Sequence, residues 1–214
     1  MKFAVIGLGR FGYQVATVLS DNGMEVLAVD SNESIVTSIK DKVTQALCVR
    51  ITDEDSLQSI SIEDMDVVIV AMGENVEQSI LITALLKKRL NIQKVIARGI
   101  NDIHKEILEL IGADRVILPE KEIGSRLADV LSSPFTELTR LSPYFSISQI
   151  AAPKQFIGKT ITELNLLENY TLRFVGVRHP DDTIESVPDS YIIQEHDKIL
   201  LAGNNNNLEW IAKM

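Results

Sequence analysis

The stretch KFAVIGLGRFG, Lys2 to Gly12, decides the fold. An apolar run from Phe3 to Ile6 leads directly into Gly7-Leu8-Gly9-Arg10-Phe11-Gly12, a complete G-x-G-x-x-G, and the pattern then turns helical with Val15, Val18 and Leu19 on one face. The motif is weak in isolation, because glycines are common in turns; its place between a strand and an amphipathic helix makes it informative. The first glycine permits the tight turn, the second lets the backbone approach a diphosphate, and the third allows close helix–strand packing. The helix start then offers unpaired N–H groups and a positive dipole end to an anion.

The second part of this fingerprint follows. The apolar run Val26 to Val29 ends in Asp30, about twenty residues past the loop, where a carboxylate accepts both ribose hydroxyls of an adenosine and repels a 2′-phosphate. NADP is therefore disfavoured. The competing reading of Asp30 is a cap for the helix that starts near Asn32. Ser31 is placed with Asp30 in the expected nucleotide-binding set. Ala71, Met72 and Gly73, with Glu74 and Asn75, follow the fourth predicted strand and are expected to line the site at the carboxyl edge of the sheet, where ligands collect.

Outward from this loop, short β-branched runs alternate with helix-periodic ones. Strands are predicted near 2–6, 25–29, 45–48, 66–70, 94–98 and 115–118, and helices near 10–21, 34–40, 53–59, 76–88, 102–111 and 120–130. Continuous apolar strands alternating with helices predict a doubly wound parallel sheet, a Rossmann-type α/β fold. Lys87, Lys88 and Arg89 read as a solvated, dipole-complementing helix end.

The character changes after Val130. Ser132-Ser133-Pro134 and Ser142-Pro143 bracket Phe135–Leu141, which reads as a crossover segment. Beyond it, strand-like runs near 144–151, 172–177, 183–187 and 198–202, a helical turn at 162–166 and a helix near 208–213 predict a small α+β unit. Asn204–Asn207 reads as a turn. The expected division is 1–135 and 136–214.

Composition narrows the function. The 214 residues are 45% hydrophobic and 24% charged, with 21 Lys and Arg against 30 Asp and Glu, a net charge of −9. That balance, without a basic stripe, argues against nucleic-acid binding. Cys48 is the one cysteine, so an intramolecular disulfide is impossible and a reducing compartment is expected. The opening MKFAVIGLG lacks the features of a signal peptide. The most apolar stretch, Val67 to Met72, is far short of the roughly 20 residues of a bilayer span. Any membrane connection is expected to run through a partner.

Three function classes make different demands on these residues. An NAD(H)-dependent oxidoreductase needs an acid or base facing the nicotinamide. Here His179 and His196 sit in turn-like, surface sequence, and none of the four tyrosines is followed four residues later by lysine. An NADH-sensing transcriptional regulator needs a basic recognition helix. A nucleotide-binding regulator needs neither.

At this point the chain resembles the RCK proteins, the cytosolic gating subunits of Ktr- and Trk-type potassium transporters. The resemblance lies in FAVIGLGRFG (Phe3–Gly12), VAMGEN (Val70–Asn75), ARGINDIH (Ala97–His104), IGADRVILPEKEIGSRLA (Ile111–Ala128), GKTITELNL and EHDKILLAG, nearly the whole chain. It implies a Rossmann domain joined to a C-terminal RCK domain, and a homodimer assembling into an octameric ring on a membrane-embedded potassium transporter subunit at the inner face of the membrane. ATP and ADP would compete for the Rossmann site, with NAD(H) as another occupant. Gly7, Gly9 and Gly12 would hold the phosphates and Asp30 the ribose, with Phe11 in the same nucleotide-binding set. Arg10 would reach a terminal phosphate across the dimer, and Glu120 would help bind Mg2+ or another divalent cation. Asp53 in the third-strand loop and Arg98 complete the implied set; for Arg98 and His104, packing or capping is the alternative. Two departures stand out: Val49-Arg50 replaces the Gly-Asp of many relatives, and Leu167 stands where an arginine often accompanies cyclic di-AMP binding in the C-terminal domain.

Overall fold

A computed structural model describes residues 1–73, 75–132 and 135–214. The predicted residues Glu74, Ser133 and Pro134 lie outside that set. The chain divides into two compact units, Met1–Glu122 and Ile123–Met214.

The first unit holds β1 (Lys2–Ile6), α1 (Arg10–Asp21), β2 (Glu25–Asp30), α2 (Glu33–Ile39), β3 (Gln45–Cys48), α3 (Glu54–Gln58), β4 (Val67–Val70), α4 (Val76–Ala84), β5 (Val95–Arg98), α5 (Asp102–Ile111) and β6 (Arg115–Ile117). The strands are all parallel, in the order β3-β2-β1-β4-β5-β6. This is the doubly wound order whose direction reverses between β1 and β4. β4 is buried along its whole length, as a strand covered on both faces must be. Alternate residues of the strands feed two apolar layers. Ala4, Ile6, Val68 and Val70 pack with Leu57, Ile82, Leu86 and Leu108 on one side, and Val5, Val26, Ala28 and Ile69 pack with Ala16, Val36 and Ile39 on the other.

Local chemistry sets the helix starts. Asn32, Asp53, Asn75 and Asn101 cap α2, α3, α4 and α5, each accepting from a backbone N–H of the first turn. The expected helix 76–88 ends differently: α4 passes into one wider turn, Leu85–Arg89. Nor is its basic end simply solvated. Lys87 is largely buried and donates to Asp114 Oδ2 at 3.0 Å and to the carbonyls of Ile92 and Gln93. The same carboxylate oxygen accepts from Val95 N–H at 2.7 Å. Burial pushes the Asp114 carboxyl up, but the Val95 N–H and the Lys87 ammonium outweigh it and hold it below the ordinary range.

Helix α6 (Pro119–Ser132) carries the chain across the boundary between the units. The second unit contains β7 (Glu137–Arg140), β8 (Phe145–Ala151), α7 (Ile161–Leu164), α8 (Leu166–Tyr170), β9 (Leu172–Arg178), β10 (Ile184–Glu185), β11 (Lys198–Asn204) and α9 (Asn205–Ala212). Its sheet is antiparallel, ordered β10-β9-β11-β8-β7, over a core of Ile150, Leu172, Ile199 and Leu201 packed with Phe156, Leu208 and Ile211. Three expectations need correction. Phe135–Leu141 is more than a connector, because Glu137–Arg140 pairs with β8 as an edge strand. The asparagine run is a helix start: Asn204 accepts from Asn206 N–H and α9 begins at Asn205. His179 is partly buried between Glu185 and Asp197, with ring nitrogens 3.6 and 3.7 Å from their carboxylates, whereas His196 is exposed as expected.

Candidate nucleotide site

The site is built at the carboxyl edge of the parallel sheet, where β1 and β4 diverge. Three backbone bonds fix its rim: Gly7 N–H to Val29 O at 2.8 Å, Ala71 N–H to Ile6 O at 2.8 Å, and Val49 N–H to Asp30 O at 2.9 Å. Gly7 turns the chain with φ +91°, a conformation that favours glycine, and a Cβ there would lie 2.9 Å from Met72 Cγ. Gly12 is required by packing. A Cβ at Gly12 would collide with the Gly7 carbonyl oxygen and come within 2.9 Å of the Ala71 methyl. Gly9 is the extended N-cap of α1, without a side-chain cap, and a Cβ there would meet open space. Arg10 follows as the first helical residue and is exposed.

Asp30 does something that neither sequence reading anticipated. Its Oδ2 accepts the Leu8 N–H at 2.6 Å and its Oδ1 accepts the Asn32 N–H at 2.9 Å. The helix cap is Asn32 itself. Asp30 therefore braces the glycine loop against the end of β2. An ionised carboxylate has about four lone-pair positions. Two are used here, which leaves acceptor capacity for a ribose.

The expected residues fall into two groups. Gly7 and Gly12 adjoin Ala71 and Met72, Gly9 and Phe11 belong to the same loop, and Arg98 reaches over from β5 to Gly73 and Phe11. The Arg98 guanidinium lies against Gly73, with Cζ 5.8 Å from the centre of the Phe11 ring, and its Nη2 donates to Glu120 Oε1 at 2.5 Å. Ser31 and Asp53 belong to the β2 and β3 ends. The Ser31 carbonyl accepts from Cys48 Sγ at 3.7 Å. Asp53 accepts from Ser56 N–H at 2.9 Å and from the Thr52 hydroxyl at 3.1 Å within its own turn, bonds that hold its carboxyl below the usual range.

Glu120 stands at the start of α6, beside the end of β5. Its carboxylate is paired with Arg98, and no group of three His, Cys, Asp or Glu side chains capable of holding a metal occurs among the described residues. His104, from the same resembling segment as Arg98, is 2% exposed with neither ring nitrogen bonded, and burial keeps its pKa below the ordinary histidine value. A cleft of about 300 Å³, lined by Lys2, Glu25, Thr44 and Ser59, lies at the opposite, amino edge of the sheet, away from the loop.

Two couplings escape sequence reading, one at the carboxyl edge of the sheet and one at its amino edge. The Arg98–Glu120 pair joins residues on different elements, and only the strand register brings them together. The aspartate of Ile-Gly-Ala-Asp is bound to Lys87, 27 residues earlier.

A parallel sheet of this order, a glycine loop at its reversal point and an acid ending the second strand define a nucleotide-binding α/β unit, here followed by a small antiparallel domain. The chain belongs to the RCK family built from these two parts: the TrkA-N domain matches residues 3–119 and the TrkA-C domain matches residues 147–214. It is 37% identical over 209 residues to the Ktr system potassium uptake protein A of Bacillus subtilis, covering 97% of this chain and 94% of that one. To the Ktr system potassium uptake protein C of the same organism it is 32% identical over 213 residues, covering 99% and 96%. Among solved structures, the GsuK channel bound to NAD superposes with a TM-score of 0.56 at 22% identity, over 99% of this chain and 38% of that chain. The GsuK RCK domain gives 0.53 at 22%, over 99% and 46%. These two structures share the fold, and this chain spans less than half of each.

Proposed function

We propose that this chain is the nucleotide-binding regulatory subunit of a Ktr-type potassium transporter, switched by exchange of ATP and ADP at the loop Gly7–Gly12. The observation that carries the reading is the 37% identity, end to end, with a Ktr potassium uptake protein, in a chain whose own geometry supplies a phosphate loop. In this reading Gly7, Gly9 and Gly12 hold the phosphates with α1, Asp30 takes the ribose on its free lone pairs, Ser31 and Asp53 border the base, and Ala71, Met72 and Gly73 close the side. NAD(H) is the alternative occupant of this site; the GsuK channel, which shares the fold, has been solved with NAD. The protein then changes shape on its ligand without transforming it.

ATP differs from ADP by one phosphoryl group, so only contacts to that group can favour one state. In this reading Arg10, exposed at the start of α1, reaches that group from a second chain. Shifting a two-state gate from mostly closed to mostly open takes about 5.5 kcal/mol of differential binding. A hydrogen bond to a charged group supplies about 1.5–3 kcal/mol. Two to four subunits must therefore act together, which favours an oligomer; in this reading the oligomer is a homodimer assembled into an octameric ring. Helix α6 supplies a surface for that association: Ile123, Leu127 and Leu131, spaced four apart, are 63%, 57% and 78% exposed. No helix among the described residues is long and apolar enough to cross a membrane. The ring would act from the cytoplasmic side on a membrane-embedded transporter subunit.

Glu120 is paired with Arg98, so no step of the switch is assigned to a metal. For cyclic di-AMP no site is proposed either, since the exposed Leu167 brings no charge where the resemblance implies arginine. The test is Arg10→Ala with calorimetric titration. The expected result is a loss of ATP's advantage over ADP with ADP binding retained; equal weakening of both nucleotides contradicts the role.

A further inference from the structure

A dinucleotide on a sheet of this order lies across the crevice, with one nucleoside on each side of the reversal between β1 and β4. On the β1–β2–β3 side, the end of the sheet carries the glycine loop and Asp30. On the other side, Arg98 intervenes. It is the last residue of β5, its side chain is 18% exposed, and its guanidinium lies so close over Gly73 that a Cβ at that position would clash with Nη1 and sit 2.7 Å from Cζ. Phe11 of the glycine loop flanks it, with the ring centre 5.8 Å from Cζ, and Glu120 holds Nη2. Its Nε is buried and bonded to nothing within the described residues. Arg98 is thus a cation fixed beside the phosphate loop, over the ground where a second nucleoside would run, with donor capacity still unspent.

We propose that Arg98 is the specificity determinant of the nucleotide site: its guanidinium accepts the terminal phosphoryl group of a mononucleotide and bars the second nucleoside of a dinucleotide. The proposal rests on the nucleotide-regulator reading above and sharpens it. The outer phosphate of ADP is unesterified and carries its full charge, matched to a guanidinium fork. The corresponding phosphate of NAD carries a single charge, and its ester continues into a nicotinamide riboside that would displace Arg98. Guanidinium has five N–H donors. The Glu120 bond uses one of them, so the ion pair can remain while a phosphate is bound, and it keeps the fork in place when no phosphate is there.

The test is calorimetric titration of the full chain with ADP, NAD and AMP at one salt concentration. The parent is expected to bind ADP at least tenfold more tightly than NAD. Arg98→Met keeps the aliphatic bulk against Gly73 and Phe11 and removes the donors; its ADP-to-NAD affinity ratio should fall at least tenfold, through weaker ADP binding, with AMP changed less than threefold. An unchanged ratio, or AMP weakened as much as ADP, overturns the assignment. Should Arg98→Met fail to fold, Arg98→Lys keeps the charge without the fork and is expected to lower the ratio at least threefold, and an unchanged ratio there overturns it equally. A parent chain that binds none of the three overturns the nucleotide reading itself and this proposal with it, whereas ADP binding with a ratio insensitive to position 98 overturns this proposal alone.

Discussion

Replacing Asp30 with alanine separates two contributions that a nucleotide-binding acid usually hides. Without any ligand, its carboxylate accepts from Leu8 N–H at 2.6 Å and from Asn32 N–H at 2.9 Å. Leu8 is 2% exposed, so its amide loses a partner that water cannot easily replace, at about 1.5–3 kcal/mol for a bond to a charged group. Asn32 is exposed and its amide turns to water, which adds a few tenths of a kcal/mol, so Asp30→Ala is expected to cost about 2–3 kcal/mol. For a unit of this size, between the 60–100 and 150–250 residue classes, that corresponds to a melting temperature lower by roughly 6–15 °C. Asp30→Asn keeps one acceptor oxygen and should lose about half as much. Thermal melts of the three proteins without nucleotide read the bracing contribution; titrations with ATP, ADP and NAD read the ribose contribution, which should weaken all three ligands together because the ribose is common to them. A ligand-free Asp30→Ala protein that melts with its parent would refute the bracing, and unweakened nucleotide binding would refute the ribose contact.

Other expectations are more local. Gly12→Ala drives a Cβ into the Gly7 carbonyl, a backbone atom that cannot swing aside, so α1 must move off β1; about 3 kcal/mol of stability should be lost in urea unfolding, and a loss below about 0.5 kcal/mol would contradict the packing. His104 is buried neutral with a lowered pKa, so the unfolded chain takes up its proton first. Its contribution is complete above the unfolded value near 6.5 and is lost as pH falls toward the lower folded value. Comparing urea midpoints at pH 7.5 and 5.5, His104→Leu should show a smaller acid loss than the parent, and an equal loss would contradict this.

Much of the first unit could be read directly because its physics is local. Val67–Val70 is apolar throughout because both faces of the sheet are covered, and the glycine loop announces itself by spacing. The second unit was harder. In Glu137–Arg140 a single buried residue, Leu138, carries the strand signal, and pairing with β8 does the rest. The asparagine run looked like a turn by composition, but Asn204 caps α9, and Leu208 and Ile211, three apart, anchor that helix in the core. At the site, residue types were legible and their pairings were not. Arg98 and Glu120 each stand out as candidates in the sequence, yet their bond depends on β5 and α6 meeting at one edge across 22 residues of sequence. Asp30 was expected to serve a ligand or a helix, and the turn at Gly7 instead brings the Leu8 amide onto it.

The most direct measurement of whether this chain holds a nucleotide as a signal is native mass spectrometry of the purified protein incubated with ATP, followed by chemical identification of what it releases. The account predicts an oligomer carrying up to one adenine nucleotide per chain, released as intact ATP and displaced by added ADP. A chain that retains no nucleotide, or that returns ATP converted to product over repeated turnovers, would contradict it.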